Sequence, residues 1–240
     1  MKNGFGTRTQ WVTLPAIFLV LLTHHVPVGA SAERVDELIQ AALSLDSHPR
    51  QGARIFQKNC TGCHGSAALG NANGGIPALA GQRQAYVIKQ LADFAESDRY
   101  STNMHRVVTQ TQLNEPQVWA DVAAYLNGLP LMHSAQKGNG TGLALGEAIF
   151  REQCSSCHEE DARGDDDGFV PSLRNQHYSY LLRQMRGFAS GHRGNADADL
   201  VRFIGSLNED EVIGVTDYLS RFEGPVRKRR KMRDNGVVGD

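Results

Sequence analysis

Apolar residues recur at helical spacing through most of the chain, and the pattern is written twice. A first stripe, Val35, Leu38, Ile39 and Ala42, predicts an amphipathic helix over Glu33–Asp46. Beyond it, three helical patterns follow in one order and then repeat. The first of each set puts Ile55 and Phe56, or Ile149 and Phe150, on its inner face. The second carries Tyr86, Leu91 and Phe94, or Tyr180, Leu181 and Phe188. The third carries Val118, Val122 and Tyr125, or Val212, Val215 and Leu219, and is predicted to start at an Asn cap, Asn114 or Asn208. Pro116 is tolerated there, in a first turn. Between the first and second pattern, Gly70, Gly74, Gly75 and Pro77, matched by Gly164, Gly168 and Pro171, predict an irregular loop.

Sliding the chain by 94 residues aligns the two sets. Gly52 falls on Gly146, Pro77 and Leu79 on Pro171 and Leu173, and Gln82 on Gln176. Farther on, Tyr86 meets Tyr180, Gln90 meets Gln184, Phe94 meets Phe188 and Arg99 meets Arg193. The fold class is therefore all-α, two tandem copies of one domain related by duplication. The predicted organisation is a signal peptide over 1–32, an N-terminal helix over 33–47, domain 1 over 48–128, a linker over 129–145, domain 2 over 146–223 and a tail over 224–240. The linker is assigned on Pro130, Gly138, Gly140 and Gly142.

Composition changes this picture at the two ends. Lys2 and Arg8, the apolar run Trp11 to Leu22 and the small residues Ala30-Ser31-Ala32 read as a secretory signal with its cleavage site. The run is shorter than the ~20 apolar residues a membrane helix needs. The expected location is the periplasm. From Glu33 to Glu223 there are 17 Lys and Arg against 24 Asp and Glu, a net of −7, whereas Arg227–Arg233 holds six basic residues. An acidic body with a basic tail points to peripheral contact with an anionic membrane or an acidic partner, and not to nucleic acid. Asp165-Asp166-Asp167 reads as a solvated loop.

The chemistry-bearing residues are Cys60-Thr61-Gly62-Cys63-His64 and Cys154-Ser155-Ser156-Cys157-His158. Two thiols at this spacing each add to a haem vinyl group, and the next imidazole reaches one face of the iron. Zinc ribbons place their cysteine pairs about 12–20 residues apart. Here 94 positions separate them, a His trails each pair, and no cysteine is left for a disulfide. The cofactors expected are two covalently bound haem c groups.

With these residues in view, the chain over about 48–222 resembles the dihaem class I c-type cytochromes, the cytochrome c4 family and related dihaem subunits of periplasmic dehydrogenases. The resemblance rests on Gly52, Phe56, Cys60 to His64, Ile76-Pro77-Ala78-Leu79, Gln82, Phe94, Arg99 and Met104. It implies iron ligation by His64, Met104 and His158, and haem-propionate pairing by Arg99 and Arg193. Met104 is placed on a distal loop. The second copy departs from the pattern: at the 94-residue offset Ala198 stands where Met104 stands. Its distal ligand is left open between His192, His177 and no protein ligand, with Met185 read as core and Met232 as tail.

The function expected is single-electron transfer between redox partners, with a terminal oxidase or a dehydrogenase as partner candidates. Two alternatives stand beside it. One is a catalytic or ligand-sensing second haem with an open axial face; the other is a cytochrome subunit inside a dehydrogenase complex.

Overall fold

The computed structural model describes residue 1 and residues 29–110, 112–132 and 135–224. The apolar run of the signal, and the tail with Arg227–Arg233 and Met232, lie outside the described residues. Eleven α-helices occur among those described: α1 (Gly29–Leu43), α2 (Pro49–Asn59), α3 (Thr61–His64), α4 (Gln84–Ala95), α5 (Thr102–Val108), α6 (Pro116–Asn127), α7 (Leu143–Ile149), α8 (Ser155–His158), α9 (Tyr178–Ala189), α10 (Ala198–Ser206) and α11 (Glu209–Leu219). A π-helical turn, Phe150–Cys154, joins α7 to α8. Extended structure among the described residues is limited to three isolated antiparallel bridges. None of the described helices is long and apolar enough to cross a membrane.

In each copy the first and last helices cross so closely that only glycine fits. A Cβ on Gly52 would stand 2.0 Å from the Asp121 carbonyl oxygen, and one on Gly146 would stand 2.1 Å from that of Gly214. The crossing brings Phe56 against Tyr125 at 5.6 Å between ring centroids, and Phe150 against Tyr218 at 5.7 Å. Such aromatic contacts add about 0.5–1.5 kcal/mol beyond the area they bury. Helix α1 lays Val35, Ile39 and Ala42 on the first copy, where they join one cluster with Phe56, Ile88, Trp119 and Leu126. The second cluster is smaller and is built on Phe150, Leu181, Val215 and Leu219.

Three expectations need correction. Helix α1 begins at Gly29 and ends at Leu43, earlier at both ends than the apolar stripe indicated. The distal segment of each copy is helical, so Met104 lies in α5 and not on a loop. The cap of α6 is Glu115, one residue past Asn114, with no side-chain cap bond, whereas Asn208 makes a full capping box with Glu211 at the start of α11. Spacing between equivalent caps is therefore 93 residues here and not 94. A fixed offset cannot show this, because the copies differ in length in the distal segment.

The linker is bound to the second copy. Gly140 N–H donates to the buried Asp217 carboxylate at 2.6 Å, and Arg221 donates to Asp217 and to the Gly138 carbonyl.

The two copies also meet in a seam with near two-fold symmetry. Gln82 donates to the Ser172 carbonyl at 2.9 Å and accepts from the Ser172 N–H at 2.7 Å. Its counterpart Gln176 does the same with Ala78, at 2.9 Å in both directions. Arg99 and Arg193 form an antiparallel bridge across the pseudo-axis. Phe169 of the second copy packs against the core of the first.

Candidate haem sites

Each attachment turn is set by the helix before it. Helix α2 closes on Cys60, whose N–H donates to the Phe56 carbonyl, and the single turn α3 then carries Cys63 and His64. The Cys60 carbonyl accepts from Cys63 N–H at 3.2 Å and from His64 N–H at 3.0 Å. Both thiols and the imidazole thus rise from five consecutive residues. Gly65 leaves the turn at φ 75°, ψ 159°, and Glu159 takes nearly the same conformation, φ 65°, ψ 155°, in the second copy. A side chain is strained in that region by about 1–3 kcal/mol.

The loop beyond the turn fixes the imidazole. His64 Nδ1–H donates to the Pro77 carbonyl at 3.1 Å, and His158 Nδ1–H to the Pro171 carbonyl at 3.1 Å. A carbonyl only accepts, so the proton sits on Nδ1 and the Nε2 lone pair is available to a metal. Burial pushes both imidazole pKa values down, more than the carbonyl bond raises them, which keeps the rings neutral and ligand-competent. The Cys60 and Cys154 thiols are pushed up to about 11, chiefly by burial and then by Cys63 and Cys157. None of the four cysteines is in a disulfide, which leaves both pairs for attachment. This donor set, two thiols and one oriented neutral imidazole per turn, fits a covalently attached haem in each copy.

Arg99 and Arg193 occupy the seam. Arg99 is 8% exposed and donates to Gln90 at 2.5 Å, to Tyr180 at 2.8 Å and to Gln184 at 2.8 Å. Arg193 donates to Gln184 at 3.1 Å and to Gln90 at 3.0 Å. Each guanidinium also lies over a ring of its own copy, Phe94 at 4.7 Å and Phe188 at 4.4 Å from the centroid. Two cations therefore share neutral acceptors. The nearby buried Asp93 is taken by Lys89, Gln90 and Asn195. Such a pair suits carboxylates from outside the chain, and haem propionates have that chemistry. The seam residues Gln90, Gln184, Asp93 and Tyr180 escaped the sequence reading as functional groups. Their signal was the recurrence of Tyr86 and Gln90 as Tyr180 and Gln184 at a spacing of 94, and Asp93 had none.

Met104 is half-buried, at the third position of α5, where its N–H donates to the Ser101 hydroxyl at 3.4 Å. His177 is buried with both ring nitrogens occupied: Nε2–H donates to the Leu69 carbonyl at 2.8 Å and Nδ1 accepts from Gln136 N–H at 3.1 Å. It ties the second copy and the linker to the first haem loop, and no lone pair is left for iron. His192 is exposed, its Nδ1 2.6 Å from the Ser190 hydroxyl. Met185 packs on the second core. Asp166 belongs to the seam as well, accepting from Ala85 N–H at 2.9 Å and from Arg83.

Comparison with known proteins agrees with this architecture. The family model "Cytochrome c" matches twice, over residues 49–130 and 143–222. The chain is similar to the thiosulfate dehydrogenase electron acceptor of Stutzerimonas stutzeri, 32% identical over 207 residues, covering 82% of this chain and 94% of that protein. It is similar to cytochrome c4 of Pseudomonas aeruginosa, 29% identical over 171 residues, covering 67% of this chain and 82% of that one. The crystal structure of reduced cytochrome c4 from Pseudomonas stutzeri superposes with a TM-score of 0.65 at 24% identity, covering 74% of this chain and all of that one, a likeness of fold.

Proposed function

The chain belongs to the cytochrome c family, and from that premise we propose that it is an exported acceptor that takes electrons from a thiosulfate dehydrogenase and passes them to a terminal oxidase. As a dihaem, cytochrome c4-like electron-transfer protein it holds two covalent haem c groups, one on Cys60 and Cys63 and one on Cys154 and Cys157. Each bound haem supplies a reversible one-electron couple.

The observation that carries the proposal is the seam, which ties the two attachment loops together. His177 of the second copy binds the Leu69 carbonyl, and Arg83 of the first copy binds the Arg163 and Gly164 carbonyls at 2.8 Å. Leu69 and Arg163 are equivalent positions, each five residues past an iron-ligating His. A fixed relation between two sites is what stepwise electron passage needs, and separate domains on a flexible linker would not provide it. Met104 would offer its thioether to the iron of the first haem, and thioether ligation raises a potential. No equivalent stands in the second copy. The first haem would then hold the higher potential of the pair. Arg99 and Arg193 would pair with the propionates at the seam and screen their charge.

The secretory signal at the N-terminus and the identity of the relative in Stutzerimonas stutzeri support the export and the donor. The test is reduction of the purified holoprotein by a thiosulfate dehydrogenase with thiosulfate, followed by haem absorbance. Two haems should be reduced per chain, and the rate should rise with dehydrogenase concentration. Reduction no faster than with thiosulfate alone refutes this donor.

A further inference from the structure

The distal helices α5 and α10 register on each other through their caps, and the register differs from the one the sequence offset gives. Ser101 caps α5 by accepting from the N–H of Met104, and Asp197 caps α10 by accepting from the N–H of Leu200 at 3.0 Å. Met104 and Leu200 are thus each the third residue of their helix. Four residues on, Val108 and Ile204 are the buried residues of the two helices, each 3% exposed. The counterpart of Met104 is therefore Leu200, not Ala198. The spacing is 96 here because the second copy has two extra residues between Arg193 and its cap.

Leucine is close to methionine in size but has no sulfur lone pair. Leu200 is 37% exposed, a large apolar side chain standing outside the core. The other protein ligands considered are placed elsewhere. Both nitrogens of His177 are engaged, and Met185 is half-buried against the second core. His192 is the counterpart of Asp98, beside the seam arginine, and its N–H is tied to the Gly187 carbonyl at 3.0 Å. On the frame of the first copy this is six residues before the ligand position.

We propose that the second haem keeps an open distal face beneath Leu200 and takes a small uncharged diatomic ligand of the carbon monoxide or nitric oxide class. The inference rests on the dihaem reading and on Met104 as the first distal ligand. An aliphatic side chain offers no hydrogen-bond donor to a bound anion, and the adjoining carboxylates add none: Asp197 is the cap of α10, and Asp199 is paired with Arg202 at 2.7 Å. A neutral ligand that bonds through the metal alone is what this face admits.

The test is carbon monoxide uptake by the reduced full-length holoprotein, with haem content and reduction by the dehydrogenase measured on the same sample. One carbon monoxide per two haems is expected for the unmodified protein, and two for Met104→Ala. Leu200→Met should abolish uptake and add the far-red absorption band of a methionine–ferric iron bond, whereas Ala198→Met should leave uptake at one. No uptake by the unmodified protein overturns the proposal, and restoration of uptake by His192→Ala would reassign the ligand to His192. Loss of uptake in Ala198→Met but not in Leu200→Met overturns the register. A protein reduced by the dehydrogenase that binds no carbon monoxide refutes only this inference, and one that binds it without being reduced refutes only the donor.

Discussion

Gln82 and Gln176 read each other's copy in the same way. Each side-chain amide is paired, donor and acceptor both, with the backbone of the residue four positions before its counterpart, Ser172 or Ala78. Both glutamines are buried. An apolar replacement therefore removes the two hydrogen bonds across the seam and a third from the N–H of the next residue, Arg83 or His177, and strands a buried backbone N–H and C=O across the seam, at about 1–3 kcal/mol for each stranded group.

Gln82→Leu or Gln176→Leu should accordingly lower the unfolding free energy by a few kcal/mol, and the double variant should cost less than the sum of the two, since one seam is lost only once. Urea denaturation followed separately by far-ultraviolet dichroism and by haem absorbance checks this. The unmodified protein should unfold in one transition and the double variant in two. Two transitions in the unmodified protein would mean that the seam does not couple the copies.

What the sequence made legible here was periodic or local. Helical stripes, loop glycines and the two attachment motifs announce themselves because each is decided by neighbours a few residues away. The close crossings at Gly52 and Gly146 were visible as matched positions, although not as contacts. The seam was not legible as such. Each arginine bonds the glutamine of its own copy, but the crossed bonds, Arg99 to Gln184 and Arg193 to Gln90, form only once the copies are turned about their pseudo-axis, and no pattern within one copy encodes that rotation. The distal register failed for another reason. The copies gain two residues before one cap and lose three before the next, so a rigid offset put Ala198 where the caps put Leu200.

Glu159 offers a prediction in the opposite direction, toward greater stability. It takes the conformation that Gly65 holds in the first copy, with the backbone nearly superimposable in φ and ψ. Glu159→Gly should relieve part of a strain of about 1–3 kcal/mol, offset by the greater freedom of glycine in the unfolded chain. A net gain of about 1 kcal/mol is expected, seen as a higher urea midpoint at unchanged slope. Its side chain is exposed and its ion pair with Arg163, at 3.5 Å between half-exposed groups, contributes little. Gly65→Glu in the first copy should cost a similar amount.

The arginine pair yields the last prediction. Arg99 and Arg193 are held by the neutral acceptors Gln90 and Gln184, and Arg99 is buried; its charge, opposed by burial, is sustained by Tyr180, Tyr86 and Asp93, which keep its pKa above the ordinary value. A cation near a haem favours the reduced state, because reduction removes positive charge from the iron site. For a unit charge roughly 10 Å away at an effective dielectric of about 20, the interaction is on the order of 1–2 kcal/mol. Arg99→Leu should therefore lower the potentials in a spectroelectrochemical titration, and Arg99→Lys, which keeps the charge but not the fork, should lower them less. The two variants separate electrostatics from seam integrity. Gln90→Leu leaves both cations in place and removes their shared acceptor, so it should weaken the seam in denaturation while shifting the potentials far less than Arg99→Leu. Equal shifts from Arg99→Leu and Gln90→Leu would mean that the arginine acts through seam geometry and not through its charge.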